Sequence, residues 1–253
     1  EIAGITLNTL VAGDGEIIRD DKGAATGIFN ERAQALIRSV IPPTSKQQQL
    51  RALQLALAVL AENGVTSFQD AGVNQQTIDL YQQFEAEKKL TSRLWVMLSG
   101  AEKPLLDRWF ESGPQVGDYL TVQAVKLVAD GALGSRGAWL LEPYTDRPET
   151  NGLPTMPIDY MSDVSHQAYR RGFQVGIHAI GDLANRAVLD IYDDLFDGKD
   201  RGVRFRIEHA QHISAVDIPR FGQLGVIASV QGIHMSSDRP WAIDRLGRAR
   251  IDE

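Results

Sequence analysis

Two rhythms of apolar positions alternate along this chain. From Thr44 onward the first is helical. Leu50, Leu53, Leu57 and Leu60 mark one face, Ser45 and Gln48 stand in the spacing of a capping box, and Asn63-Gly64 is a stop signal. The second is a run of strand formers, Val65-Thr-Ser-Phe68, which follows at once. The pair then repeats. A helix over about Gln75 to Lys89, with Ile78, Tyr81 and Phe84 on one side, leads to Leu94–Leu98. Leu105, Leu106, Trp109 and Phe110 lead to a third strand, Val122–Asp130. Met161, Val164 and Ala168 precede Phe173–His178, and the stripe Leu183, Ala184, Ala187, Val188, Ile191 and Leu195 precedes Val203–His209. A helix capped by Ser214 and carrying Phe221 and Leu224 precedes Val226–Gln231, and Pro240-Trp241 opens a last helical segment.

Before Thr44 the pattern is irregular. Glycines punctuate short apolar pieces, which predicts turns and short strands. Asn30 is placed to cap a helix carrying Ala33, Ile37, Val40 and Ile41, ended by Pro42-Pro43. Residues 1–44 are expected to be an insertion or lid-like segment, and 45–253 a partial barrel domain.

Six strands alternating with helices imply a parallel sheet. Either an open doubly wound sheet or a (β/α)8 TIM-type barrel lacking two strands satisfies the pattern. No G-x-G-x-x-G follows a strand and no G-x-x-x-x-G-K-[ST] occurs, so dinucleotide and P-loop sites are excluded. The polar residues favour the barrel, with about six of its eight strands present. Lys126, His178 and His209 each lie at or near the C-terminal end of a strand, the rim on which barrel enzymes build active sites.

Those three residues carry the chemistry. A lone strand lysine is most simply one that snorkels to the rim or pairs with Asp130, and a lone strand-end histidine is most simply structural. Three together at the ends of consecutive strands are a much less probable coincidence. Neutral imidazole is a good zinc ligand. A desolvated lysine amine can react with carbon dioxide to give a carbamate, whose oxygens bind metal. By strand alternation Glu208 is expected to point away from His209 and is not assigned as a ligand. Asp182 is first a helix N-cap and second a residue standing behind the ligands, as is His212. His166 sits in a polar helical context and is expected to face solvent. His234, just past the sixth strand, and Arg136, in the long connection from Gly131 to Pro157, are placed to contact substrate.

Composition narrows the partners. With 253 residues, 43% of them hydrophobic, the chain has material for a sizeable core. A net charge of -7 argues against nucleic acid and against an anionic membrane surface. The absence of cysteine leaves only N and O ligands for a metal. No membrane span or signal peptide is visible, and a cytoplasmic location is expected. The first residue is Glu1, not Met, and the expectation is an interior piece of a longer protein.

Several motifs resemble the amidohydrolase superfamily. They are Val125-Lys-Leu-Val-Ala-Asp-Gly-Ala-Leu-Gly-Ser-Arg136, His178-Ala-Ile-Gly-Asp182, Glu208-His-Ala-Gln211 and Ala228-Ser-Val-Gln-Gly-Ile-His234. More narrowly they resemble the amidohydrolase-3 branch, which includes N-substituted formamide deformylases. Ala3-Gly-Ile-Thr, Gly15–Asp20 and Gly64–Gly72 extend the likeness over nearly the whole chain. The resemblance implies a barrel enzyme that hydrolyses a C–N bond of a small amide-type substrate with a metal-activated water. It makes Lys126 a carbamylated ligand bridging divalent metals, most simply zinc, with His178 and His209 as further ligands. Such enzymes also use a His-x-His pair and an aspartate on the first and last strands. No His-x-His occurs here, and Gly232 stands where the family has proline. Two other readings stay open: a non-catalytic barrel remnant used for binding or assembly, and a lyase with a Schiff base on Lys126. A barrel short of two strands leaves two edges that another chain can pair with, so a homo-oligomer is one way to cover them.

Overall fold

The computed structural model describes residues 3–11 and 15–251. An antiparallel hairpin, β1 (Gly15–Arg19) and β2 (Ala25–Glu31), comes first, followed by α1 (Gln34–Arg38) and α2 (Lys46–Glu62). The alternating part then runs β3 (Ser67–Val73), α3 (Gln75–Ala86), β4 (Arg93–Ser99), α4 (Lys103–Ser112), β5 (Gln115–Val116) and β6 (Leu120–Val128). It continues as α5 (Ile158–Arg170), β7 (Gln174–Ala179), α6 (Asp182–Phe196), β8 (Arg206–His209), α7 (Ile218–Leu224) and β9 (Ile227–Ser229), and ends with α8 (His234–Ser237) and α9 (Arg239–Leu246). The capping box at Ser45 is formed: Gln48 N donates to Ser45 Oγ at 3.3 Å and Ser45 N to Gln48 Oε1 at 2.9 Å. Asn30, expected as a cap, lies instead in β2, and α1 starts after Ala33. Ser214 sits in a turn before α7, whose N-cap is Asp217.

Strands β3, β4, β6, β7, β8 and β9 pair in that order, all parallel, and β5 adds an antiparallel piece to β6. The sheet curls into a half-barrel. Arg206 of β8 hydrogen-bonds Gln69 of β3 although three strands lie between them. No helix among the described residues is long and apolar enough to cross a membrane.

Alternation gives the sheet two unlike walls. Leu94, Val96 and Leu98 of β4, Val125 and Leu127 of β6, Val175 and Ile177 of β7 and Ile207 of β8 face outward. They are buried in the core shared with Ile78, Leu106, Met161 and Val188 of the surrounding helices. Each contributes about 2 kcal/mol by leaving water. A register shift opposite Val96 and Met97 makes Gln123 an extra residue in β6, which keeps apolar side chains on the outer wall on both sides of the shift. The inner wall is polar. One row across it reads Ser99, Lys126, Gly176, Arg206, Ile227, and the next toward the C-terminal rim reads Val128, His178, Glu208, Ser229.

The connection after β6 folds over the C-terminal ends of β6 and β7. Thr155 Oγ1 donates to Val128 O at 2.7 Å, and Ala129 N to His178 O at 2.9 Å. It builds a second core with α9, made of Leu133, Ala138, Leu140, Tyr144, Ile180, Ala242 and Leu246. The loop presses so closely on the turn before α6 that a Cβ at Gly181 would lie 2.0 Å from Trp139 O. The hairpin is fastened to this loop by Arg147, whose Nη2 lies 3.1 Å from Glu16 Oε1.

Candidate functional site

Lys126 lies on the inner wall, two residues before the end of β6, and its Nζ donates to Leu127 O at 2.8 Å. Burial pushes the amine down to about 8, against the opposing pull of the Glu208 and Asp130 carboxylates. His178 follows on the next row of β7, and its ring meets that of His209 edge to face, centroids 4.6 Å apart. The Nε2 of His178 is buried and has no hydrogen-bond partner among the described residues, although Asp130 Oδ1 lies 3.3 Å away. His209 Nδ1 is 2.8 Å from Gln231 Oε1. Burial holds the His209 imidazole below its ordinary value, against the opposing hydrogen bond with Gln231, and electrostatic repulsion from the neighbouring His178, Lys126 and His234 adds to the burial.

His209 reaches this cluster by a backbone break. Regular alternation gives its place on the inner wall to Glu208, which pairs across the sheet with His178. At His209 φ is +75 and at Ala210 +41, both in the left-handed region that non-glycine residues rarely adopt. The expectation that Glu208 points away is therefore wrong. Its carboxylate lies on the inner wall over Gly176, where a Cβ would come within 2.9 Å of Oε1. Arg206 grips it in a two-point ion pair at 2.7 and 3.0 Å and also donates to Ser229 Oγ at 2.8 Å.

The sequence offered Asp130 only as a pairing partner for Lys126; in the structure Asp130 has a different role. It is 1% exposed, and its carboxylate accepts from the backbone N–H groups of Trp139, Ile180 and Gly181 at 2.9, 3.0 and 2.8 Å. One buried anion thus joins the rim loop and the turn after β7. The available signal was its spacing of four from Lys126, which sets both on one face. Asp182 is the first residue of α6, after the N-cap Gly181, and its Oδ1 accepts from Leu141 N at 2.8 Å, a second clamp on the loop. His212 is buried, and its carbonyl accepts from Asn185 Nδ2 at 3.1 Å. His234 stacks obliquely beside His209 with centroids 5.9 Å apart, and it lines a cavity of about 500 Å3 together with His212. Arg136 stands on the loop after β6. It pairs with Asp146 at 2.8 Å and lines a different cavity, of about 330 Å3, between the loop and the hairpin. His166 stands on α5 with Nε2 3.4 Å from Asp194 Oδ2.

The donors suit part of a metal site. An orphaned buried imidazole nitrogen, a second imidazole against it and a desolvated amine are nitrogen groups that a divalent cation or a carbamate would satisfy. Among the described residues no three His, Asp or Glu side chains gather in a group that could hold a metal alone.

Solved structures share this architecture. An uncharacterised metal-dependent hydrolase from Pyrococcus horikoshii OT3 superposes with a TM-score of 0.79 at 30% identity, over 96% of this chain and 48% of that one. One from Pyrococcus furiosus gives 0.79 at 31%, over 96% and 49%. The half-barrel and its rim thus have the form seen in metal-dependent hydrolases. The model of the amidohydrolase family matches residues 1–253, and the chain belongs to that family. It is 33% identical to the Arabidopsis thaliana protein LONG AFTER FAR-RED 3, over 99% of this chain and 45% of that protein. It is 32% identical to the putative amidohydrolase YtcJ of Bacillus subtilis, over 99% and 47%, and 25% identical to the N-substituted formamide deformylase of Arthrobacter pascens, over 89% and 43%. The chain spans about half the length of these relatives.

Proposed function

We propose that this chain carries three ligands of a divalent-metal site, Lys126, His178 and His209, in an amidohydrolase that cleaves an amide- or formamide-type C–N bond of a small molecule. The observation that carries the reading is the orphaned Nε2 of His178 packed against His209 on the rim that also bears Lys126. The likeness to the Arthrobacter pascens deformylase supports the formamide-type substrate. In this reading the six parallel strands are strands two to seven of a closed (β/α)8 barrel, residues 1–44 cover its rim, and the other ligands and the proton-accepting aspartate lie in polypeptide beyond these 253 residues.

A bound divalent cation, zinc in this reading, supplies an acidified water and polarises the scissile carbonyl. The chain's own residues prepare that chemistry. Desolvation keeps a share of Lys126 neutral near physiological pH, so its Nζ lone pair attacks the carbon of carbon dioxide. An N–C bond forms, Nζ releases a proton to solvent, and an anionic carbamate results. Asp130 fixes the turn that holds His178, and Gln231 orients the ring of His209. The non-catalytic reading draws on the missing three-residue His/Asp/Glu group among the described residues.

The test is metal analysis and mass spectrometry of the full-length gene product, with an assay on N-formyl and N-acyl amines. Bound zinc, a carbon-dioxide adduct on Lys126 and turnover that His178→Ala and His209→Ala abolish are the expected results. A metal-free protein that turns over none of these amides even after zinc is added favours the non-catalytic reading.

A further inference from the structure

Beside the second core, between the rim loop and α9, lies a cavity that opens to solvent at Met235 and Arg239. Leu133, Ala242, Ile243 and Leu246 form apolar walls of the cavity of about 500 Å3, a volume typical of small-molecule pockets. His234 stands at its boundary with the imidazole cluster, since its ring lines the cavity and lies 5.9 Å from that of His209. Its Nδ1 is buried and meets no hydrogen-bond partner among the described residues. A buried polar atom without a partner is costly, and a ligand that completes it recovers that cost. The carboxylate lining the cavity is already engaged, as Asp238 accepts from Gln211 Nε2 at 2.9 Å and from Ser237 Oγ at 2.7 Å. Arg239 reaches the cavity from an exposed position.

We infer that this cavity is a specificity pocket taking an uncharged alkyl or aryl substituent of the substrate, with the amide group meeting His234. The inference rests on the hydrolase reading above and adds the substrate's shape and charge. A polar end at His234 places the scissile bond beside His209, and the apolar end lies against Ile243 and Leu246. A charged substituent would lose water against those walls, and of the two charged side chains that line the cavity Asp238 is already engaged and Arg239 is exposed.

The test compares N-cyclohexylformamide, N-methylformamide and N-formylglycine with the full-length gene product, by kcat/KM and by ligand-observed NMR binding. The cyclohexyl compound should be preferred over both others by roughly tenfold or more. Ile243→Trp, which fills the cavity, should collapse that preference, and Ile243→Ala should keep it. Turnover without the preference, a preference that Ile243→Trp leaves intact, or preference for the carboxylate overturns the pocket while the hydrolase reading stands. Binding of the cyclohexyl compound that Ile243→Trp removes, without turnover of any amide, supports the pocket and overturns the hydrolase reading. Absence of both binding and turnover overturns both.

Discussion

Lys126→Met tests the desolvation of Lys126 directly. The drop of its amine from an ordinary 10.5 to about 8 means that the folded protein penalises the ammonium. The corresponding free energy is at most about 3 kcal/mol, since the half-buried stem leaves a path to solvent. Below about pH 8 the proton is bound in both folded and unfolded chains, so the whole penalty is felt. Between 8 and 10.5 the folded site has released the proton while the unfolded chain retains it, so stability climbs with pH. Above 10.5 the amine is neutral in both states and the penalty is gone. Methionine has nearly the same shape and carries no charge. Glu208 keeps Arg206 as its partner and Asp130 keeps its three amides. Urea unfolding of both proteins, chelated and in carbon-dioxide-free buffer, should therefore show the methionine variant ahead by up to about 3 kcal/mol at neutral pH. The gap should close between pH 8 and 10.5. A gap that stays constant with pH would refute the desolvation argument, because it would show Lys126 ionising as it does in water.

Three further outcomes are expected. Asp130→Ala leaves three buried N–H groups without an acceptor and should cost about 4 kcal/mol, with faster hydrogen exchange at Trp139, Ile180 and Gly181; unchanged exchange there would count against its clamping role. The His209 ring, followed by NMR in metal-free protein, should titrate below 6.5, so the stability it contributes is present above 6.5 and lost as pH falls through its lower folded value; a midpoint at or above 6.5 contradicts this. Gly176→Ala drives a Cβ into Glu208 Oε1 and should cost about 2 kcal/mol by denaturant titration, most of it cancelled in a Glu208→Ala background; equal costs in both backgrounds would place the strain elsewhere.

The outer wall was legible because periodicity reports burial. Val125, Leu127, Val175 and Ile177 announce a strand buried on its helix-facing side, and the Ser45 and Gln48 spacing announces a helix start that is present. The strand-end positions of Lys126, His178 and His209 could be read for the same reason, since strand ends follow from strand limits. What alternation could not give was the facing of Glu208 and His209. A period of two holds only while the backbone stays extended, and the positive φ angles at His209 and Ala210 end it within the motif. Asp130 was read only as a partner for Lys126, because its actual partners are backbone amides far along the chain, and amides leave no trace in residue identity. That Arg136 pairs with Asp146 could not be read from the length of its loop.

The break after Glu208 also bears on how such a protein can change over generations. In an unbroken strand every functional position is flanked by two that the packing of the domain has claimed. Chemistry can then be altered only at every other residue. At the end of β8 two adjacent positions, 208 and 209, reach the inner side, while Phe205, Ile207 and Ala210 stay packed in the core with the helices. Position 209 can be exchanged without touching an anchor, whereas Glu208 is tied to Arg206. The rim thus gains a place where new reactivity can be tried at little risk to folding, at the cost of two backbone angles held where side chains rarely allow them.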